Sequence, residues 1–217
     1  HTDVIRKEAE QQQVELPYTK KQRFVEQYGI DSEKATTLIK DKALADYFEY
    51  VISELRAWAV NAYTELTADN VMESTTYAEL VTQATNYIIT DLTRQQYEYV
   101  GFEEPRVTTE NFAEFVTIVH KGTVSSSGAQ TLLEEMVSTQ GDPSQIVEDK
   151  NLAQISSEDQ LLPIIQGVIE ENPNSVSDYQ NGNTKAIQFL VGQVMKQTKG
   201  KANPQMARDL ITKQLES

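Results

Sequence analysis

The sequence predicts an all-α protein in which a helical bundle domain is followed by a small tail domain of the three-helix type. Over long stretches the apolar residues recur three and four positions apart, which places them on one face of a helix. No segment alternates apolar and polar residues over a useful length, so no β-strand is predicted. Residues typical of helix ends separate these stretches, and we therefore expect several helices of ordinary length.

Length and composition suit one or two globular domains without a membrane span. The 217 residues are 39% apolar, which is enough to fill a core. No run approaches eighteen uncharged apolar residues, and residues 1–18 lack the apolar stretch of a signal peptide. We expect residues 1–18 to form a flexible N-terminal edge. The absence of cysteine excludes disulfides and thiolate metal sites and is typical of a reducing compartment.

The first predicted helices occupy residues 19–66. Thr19 is the predicted cap of the first helix and Gly29 its end, and Asp31 or Ser32 is the predicted cap of the next. A break is expected near Asp41. Beyond it the apolar residues keep helical spacing, and they are Leu44, Tyr47, Phe48, Val51, Ile52, Leu55, Ala59, Ala62 and Leu66. Such a stripe predicts a packed core.

Further helices are predicted in the middle of the chain. Thr108 is the expected cap of one helix, which Gly122 ends. Ser157 and Gln160 have the spacing of a capping box and open a later helix. Pro163 falls beyond the first turn of that later helix, so a kink or a delayed start is expected.

The stretch 185–215 predicts a helical hairpin. The apolar stripe of its first helix consists of Ile187, Leu190, Val191 and Val194. We expect Phe189 to widen that stripe and Gly200 to end the helix as a left-handed residue. Asn203 is the predicted N-cap of the second helix, with Pro204 at its first position.

Charge is distributed unevenly between this hairpin and the rest of the chain. The formal net charge is −14, yet residues 185–213 hold six basic residues and one acid. The basic residues are Lys185, Lys196, Lys199, Lys201, Arg208 and Lys213. A basic face is the usual electrostatic footprint for phosphate, and we expect exposed backbone N–H groups around Gly200 and Asn203 to add to it. The alternative is that these cations only cap helices and keep the chain in solution.

The sequence indicates no catalytic site. The histidines are His1 and His120, and no Ser–His or Cys–His constellation can be built on them. The segment GTVSSSGAQ resembles an amidase signature only superficially, because it lacks the Gly-Gly pair and the Lys. Lys201 is not part of a phosphate-binding loop, since Met195 stands where that loop begins with Gly and Ala202 replaces its Ser or Thr. We therefore predict no catalytic residue, no metal ligand and no cofactor in this chain.

Three segments resemble one known family. VGQVMKQTKGKANPQ, which begins at Val191, is similar to the C-terminal tail of the B subunit of the aspartyl/glutamyl-tRNA(Asn/Gln) amidotransferase (GatB), a tail domain also found in small YqeY-like proteins. RFVEQYG and DKALADYFE resemble two earlier segments of that protein. After the flexible edge expected at 1–18, the resemblance implies a helical domain at 19–150 and a YqeY-like tail domain at 151–217. About twenty residues near 51–76 would be an insertion that the family lacks.

The resemblance also implies the reaction and the partners of a parent complex. That complex uses ATP and magnesium to phosphorylate the side-chain carboxylate of Glu or Asp mischarged on tRNA(Gln) or tRNA(Asn). Ammonia that the amidase releases from glutamine then replaces the phosphate. The kinase-like site lies in an N-terminal cradle domain outside this sequence, so this chain alone is expected to lack activity. Expected partners are tRNA(Gln) or tRNA(Asn), the A subunit, which is the amidase, and the small C subunit, with no membrane.

The tail is implied to hold the outer corner of the tRNA by shape and by phosphate contacts. The residues expected to bind tRNA lie in or beside the matching segment and are Lys185, Lys196, Lys199, Lys201, Asn203 and Arg208. Two alternatives stay open, which are a stand-alone YqeY-like RNA-associated protein and an acidic helical module that binds protein. We expect a cytoplasmic location in a bacterial or archaeal cell, with an organellar compartment as the alternative.

Overall fold

The computed structural model describes residues 15–99 and 101–216. The chain divides into two compact units, His1–Ala113 and Glu114–Ser217. Within the described ranges the regular structure is helical, and extended backbone pairs only through isolated bridges. The predicted all-α class is therefore confirmed. The predicted boundary between residues 150 and 151 stays a prediction, and the expected flexible edge lies outside the described residues except at its last four positions.

The helices are joined by connections of different lengths. Those that begin in the first unit are α1 (Pro17–Tyr28), α2 (Ser32–Leu38), α3 (Lys42–Ala62), α4 (Thr75–Tyr87), α5 (Thr93–Tyr97) and α6 (Thr109–His120). A short 3-10 turn at Val71–Glu73 precedes α4, and a π-helical turn at Ile88–Leu92 joins α4 to α5. The second unit continues with α7 (Ser126–Thr139), α8 (Pro143–Asp149), α9 (Glu158–Glu171), α10 (Pro173–Gln180), α11 (Lys185–Gln197) and α12 (Pro204–Leu215).

Helix α1 begins earlier than the sequence predicted. Pro17 occupies its first turn and Leu16 precedes it without a side-chain cap, so the prediction that Thr19 caps this helix is wrong. Proline lacks an N–H and has its φ already fixed near the helical value, which makes it a favourable first residue. The predicted end is confirmed, since Gly29 has φ 67° and donates its N–H to the Val25 carbonyl.

Two aspartates cap the next helices. The carboxylate of Asp31 accepts the backbone N–H groups of Glu33 and Lys34 at the start of α2. Asp41 does the same for the first turn of α3, so the predicted break near this residue is confirmed. Each carboxylate satisfies N–H groups that have no partner within the helix.

The segment near 51–76 belongs to the core of the first unit. Helix α3 continues unbroken to Ala62, and the buried side chains of this segment include Leu55, Ala59, Leu66 and Val71. Just beyond the segment, the Tyr77 hydroxyl donates a hydrogen bond to the Ile52 carbonyl at 3.0 Å. The segment thus extends a helix and packs. Its identification as an insertion stays a prediction.

One apolar cluster organises the tail end of the second unit. Its buried members are Leu161, Ile165, Val168, Ile187, Leu190, Val191, Val194, Ala202, Ala207, Leu210 and Ile211. Apart from Ala202, which lies in the turn between α11 and α12, these side chains come from α9, α11 and α12. Helix α10 has no buried residue and contributes Tyr179 to the cluster's edge. Three helices therefore share this core.

Helix α9 starts at the residue that its cap dictates. Ser157 Oγ accepts the Gln160 N–H at 3.2 Å, as the capping-box spacing predicted. The helix begins at Glu158 and includes Pro163, so the expected delay of its start is wrong. The cap fixes the first turn before the proline is reached.

Candidate nucleic-acid interface

The basic hairpin is shaped by the turn between α11 and α12. Lys199, with φ 53°, is the left-handed residue after the helix, and its N–H donates to the Lys196 carbonyl at 3.2 Å. The N–H of Gly200, which has φ 79°, donates to the Met195 carbonyl at 2.7 Å. This pair of bonds defines a Schellman ending in which the left-handed C′ position is held by lysine. The prediction that Gly200 holds it is wrong by one residue, and two successive residues share the positive φ.

Gly200 is also required by a close approach to another helix of the same unit. A Cβ added at Gly200 would lie 2.7 Å from Ser127 Oγ, in the first turn of α7. Ser127 Oγ is in turn 3.1 Å from Ser125 Oγ, and Ser125 caps α7. The turn therefore rests against the start of α7, and a side chain at position 200 would push them apart.

The N–H groups of the turn are all used within the chain. Lys201 donates to the Thr198 carbonyl, Ala202 to Thr198 Oγ1, and Asn203 to the Ile155 carbonyl, at 3.1, 3.2 and 3.1 Å. The Ile155 N–H donates back to the Lys201 carbonyl at 2.8 Å. The expectation of free backbone N–H groups for phosphate is therefore wrong, because buried turns satisfy their own donors. The turn therefore offers an external anion side-chain donors and no free backbone N–H groups.

The cations of the hairpin divide into paired and unpaired side chains. Lys213 Nζ lies 3.4 Å from Glu158 Oε1. The other five have no side-chain hydrogen bond or ion pair with any residue in 15–99 or 101–216, and they are Lys185, Lys196, Lys199, Lys201 and Arg208. The first three are exposed and the last two half-buried. Unpaired cations that remain in water keep their charge available to an external anion.

Asn203 has a structural role. Its Oδ1 accepts the N–H groups of Gln205 and Met206 at 3.0 and 3.1 Å, so the predicted N-cap is confirmed, with Pro204 in the first turn. This contact explains why an asparagine stands there. A direct contact of Asn203 with tRNA stays a prediction.

Phe189 lies on a different face of α11 from the one that the sequence predicted. It was expected on the buried stripe of α11, yet its side chain is 49% exposed. At 100° per residue, position 189 is closer to the face of Lys185 and Lys196 than to the centre of the buried stripe. A helical projection would have shown this from the sequence alone.

Residues 15–99 and 101–216 contain neither a metal-binding cluster nor a membrane-spanning helix. Over these ranges, no set of three or more His, Cys, Asp or Glu side chains is grouped so that it could hold a metal ion. None of the helices described there combines the length and apolar character needed to cross a membrane.

Comparison with known proteins gives a consistent result. The family model described as the GatB domain matches residues 69–215. Relatives named as the B subunit of aspartyl/glutamyl-tRNA(Asn/Gln) amidotransferase include a protein of Thermoanaerobacter pseudethanolicus, 36% identical over 220 residues, which cover 99% of this chain and 40% of the relative. A protein of Lactobacillus johnsonii is 34% identical over 210 residues, covering 97% and 40%, and one of Clostridium beijerinckii is 36% identical over 202 residues, covering 93% and 37%. The chain thus spans about 40% of the length of these relatives.

Proposed function

Because the chain belongs to the GatB domain family, we propose that it is the C-terminal, tRNA-binding part of a B subunit of an aspartyl/glutamyl-tRNA(Asn/Gln) amidotransferase. Such a protein helps convert Glu-tRNA(Gln) to Gln-tRNA(Gln) and Asp-tRNA(Asn) to Asn-tRNA(Asn). Its partners are then tRNA, an A subunit with amidase activity and a small C subunit. The bacterial origin of the relatives supports a cytoplasmic location.

The observation that carries this proposal is the set of five unpaired cations on the α11–α12 hairpin. The chain has a formal net charge of −14, with 33 acidic and 19 basic residues, so carboxylates outnumber cations. In the first unit Lys20 and Arg23 pair with carboxylates at 2.6–2.9 Å. The side chains of the five hairpin cations form no hydrogen bond or ion pair with the described residues. Such a surface is suited to binding phosphate.

The strained position of Lys199 supports the same reading. A left-handed C′ residue is most often glycine, because a side chain there costs about 1–2 kcal/mol. Lys199 has φ 53°, and its side chain makes no hydrogen bond or ion pair with the described residues that would offset this cost. Backbone strain that no stabilising contact offsets is a feature of functional positions.

The proposed contact is one of shape and charge. Lysine and arginine side chains position the phosphate backbone and carry little sequence information. The turn that presents Lys199 and Lys201 is held rigidly by its bonds to Ile155 and its approach to Ser127. Such a rigid basic ridge can follow the backbone at the outer corner of a tRNA.

We assign this chain binding and no chemical step. Among the described residues, no group of three or more His, Cys, Asp or Glu side chains could hold a metal ion, and the N–H groups of the α11–α12 turn already donate within the chain. In the proposed complex we assign ATP and magnesium to a part outside this chain. Hydrolysis of ATP by the purified chain, dependent on mischarged tRNA, would contradict this assignment.

Filter binding of deacylated tRNA tests the proposal. Replacing Lys196, Lys199 and Lys201 by Gln should weaken binding at least about tenfold and equally for different tRNA sequences, because about three phosphates are no longer bound. A matched control replaces Lys40, Lys42 and Lys150 by Gln. It removes the same number of positive charges from exposed positions. Lys42 pairs with Asp46, and Lys150 pairs with Glu135.

The control decides between position and net charge. Unchanged affinity in the control triple variant, with circular dichroism showing both variants folded, would assign the binding to the hairpin. Equal loss of tRNA affinity in both triple variants would show that the effect comes from net charge and not from the position of the lysines. Equal affinity of the wild type and the hairpin variant would favour the alternative in which these lysines only cap helices and the acidic helices bind protein.

A further inference from the structure

One face of α11 carries an aromatic ring between two cations. Lys185, Phe189, Gly192 and Lys196 stand at intervals of four, three and four residues, so they share one side of the helix over three turns. The stripe from Lys185 to Lys196 is about 16 Å long at 1.5 Å per residue. The opposite side of α11 packs into the apolar cluster. This stripe, called the α11 outer face below, points to solvent.

Phe189 is isolated on this face. Its side chain is 49% exposed. Within residues 114–216 it is the one large hydrophobic residue that is exposed to solvent. A protein-binding surface of standard size buries about 800 Å² per partner around several apolar anchors. A single phenyl ring flanked by lysines lacks that extent. It matches the combination of one stacking ring and phosphate-binding cations that single-stranded nucleic acid requires.

Gly192 is a second unexplained feature of the same face. A Cβ added there would meet nothing within 4 Å, so the packing of this chain does not require a glycine. Glycine in the middle of a helix is less stable than alanine. The missing side chain opens the helix surface one turn from Phe189, where a ribose or a base edge can approach the backbone.

We propose that the α11 outer face binds an unpaired nucleobase of RNA. The phenyl ring of Phe189 stacks on the base, Gly192 admits the nucleotide to the helix surface, and Lys185 and Lys196 hold the phosphates on either side. This inference rests on the proposed function for the class of ligand. It adds that the bound part of the RNA is a loop with an accessible base, which a phosphate-only contact does not need.

The proposal predicts a difference between two RNAs. A duplex with blunt ends offers phosphates and few accessible base faces, whereas tRNA offers both. Phe189→Leu keeps an apolar side chain and removes the aromatic ring. It should weaken tRNA binding about 5- to 150-fold, the range for one base–aromatic stack, and leave the salt dependence of binding unchanged. Binding of a blunt duplex of similar length should not change. Phe189→Tyr, which keeps a ring, should bind tRNA nearly as well as the wild type.

A pair of glycine variants provides a matched control. Gly167 in α9 also lies within a helix with nothing within 4 Å of an added Cβ. Gly167→Ala and Gly192→Ala should raise the thermal midpoint to a similar degree. Only Gly192→Ala should weaken tRNA binding. Loss of affinity in both variants, or in neither, would contradict the role of Gly192.

A fluorescent reporter measures stacking directly. The chain has one tryptophan, Trp58, so Trp58→Phe combined with Phe189→Trp leaves a single indole on the α11 outer face. The indole fluorescence should be quenched on addition of tRNA and should stay unchanged with the blunt duplex. Equal quenching by both RNAs would overturn the requirement for an unpaired base.

The outcomes separate this inference from the proposed function. If the hairpin lysine variant loses affinity while Phe189→Leu does not, tRNA binding stands and the stacking contact is overturned. If neither variant affects tRNA, both proposals fall. If Phe189→Leu abolishes binding to a purified partner protein while tRNA binding is unaffected, the α11 outer face is a protein-binding surface instead.

Discussion

Two groups of cations in this molecule have opposite surroundings. On α1, Lys20 Nζ lies 2.7 Å from Asp46 and 2.9 Å from Glu49, while Arg23 contacts Glu15 and Glu49 at 2.7 and 2.6 Å. Lys20 and Arg23 each bridge two carboxylates. On the α11–α12 hairpin, five cations contact no carboxylate among the described residues. Lys20 and Arg23 join α1 to α3. The five hairpin cations add little to the stability of the fold, and their charge remains available to an external anion.

The comparison shows that the number of charged residues does not indicate whether they stabilise the fold or stay unpaired at the surface. Burial by itself would raise the pKa values of Asp46 and Glu49, but their hydrogen bonds to Lys20, Lys42 and Arg23 outweigh it and lower them. The pKa of Glu15 is lowered chiefly by its hydrogen bond with Arg23. These cations stabilise the fold by stabilising charged carboxylates. No such pair involves the five hairpin cations within the described ranges.

The largest effect is expected from removing Arg23. Arg23→Met keeps much of the apolar stem but removes three charge-assisted hydrogen bonds, of 2.6–2.8 Å, to Glu15 and Glu49. We expect a loss of about 2–3 kcal/mol in the free energy of unfolding, since these carboxylates are only partly buried. Urea unfolding followed by circular dichroism measures it. Arg208→Met, at an unpaired cation, should cost less than about 0.5 kcal/mol. Equal costs at both positions would remove the distinction between the two groups.

The next effect concerns the turn that presents the unpaired lysines. Gly200→Ala should cost about 2 kcal/mol, because the left-handed backbone disfavours a side chain and its Cβ would contact Ser127 Oγ. In a Ser127→Ala background this clash is relieved, and about half of the cost should disappear. A double-mutant cycle on thermal unfolding measures the coupling. Strictly additive costs would show that the two residues do not touch in solution.

The paired group should also make stability depend on pH. Because the pKa values of Glu15, Asp46 and Glu49 are lowered in the folded state, their contribution is present above the unfolded pKa values. It is lost as pH falls through the folded pKa values, which lie below the ordinary values of these carboxyl groups. Urea unfolding at pH 7 and pH 3 should show a smaller decrease for Arg23→Met than for the wild type. Lys196→Gln should keep the wild-type decrease, and the opposite ranking would contradict the comparison.

The smallest effect on stability is an increase. Lys199→Gly should stabilise the chain by about 0.5–1 kcal/mol, because glycine fits the left-handed C′ position without strain. The same change should weaken tRNA binding by one phosphate contact. Lys196→Gln, which removes a charge from helical backbone, should weaken binding without the increase in stability. A Lys199→Gly variant that is more stable and binds equally well would leave the strain at this position unexplained by RNA binding.

Local signals were readable from the sequence, whereas contacts between helices were not. Asp31, Ser157 and Asn203 cap helices as predicted, because a cap involves only the next two or three residues. The approach of Gly200 to Ser127 joins residues over seventy positions apart and has no local signature. The bridge between Arg23 and Glu49 joins residues 26 positions apart and likewise has no local signature.

The candidate site was predicted from charge and from the matching family segment, and the errors in its predicted geometry have physical causes. The turn's N–H groups were expected to be free, but Ile155, from a distant segment, accepts one of them and completes the pairing. Phe189 was assigned to the core because it is apolar, although its helical position places it on the exposed face. Which cations lack an acidic neighbour depends on the folded surface and could not be predicted from composition.

The most direct test of the central claim is the salt dependence of tRNA binding. The logarithm of the association constant is measured against the logarithm of salt concentration for the wild type and for the variant with Lys196, Lys199 and Lys201 replaced by Gln. If these lysines bind phosphates, the magnitude of the slope should fall by about 0.7–0.9 for each phosphate that the variant no longer neutralises, or about 2–3 in total. Equal slopes and equal affinities for the two proteins would contradict the claim that the unpaired cations of the hairpin bind tRNA.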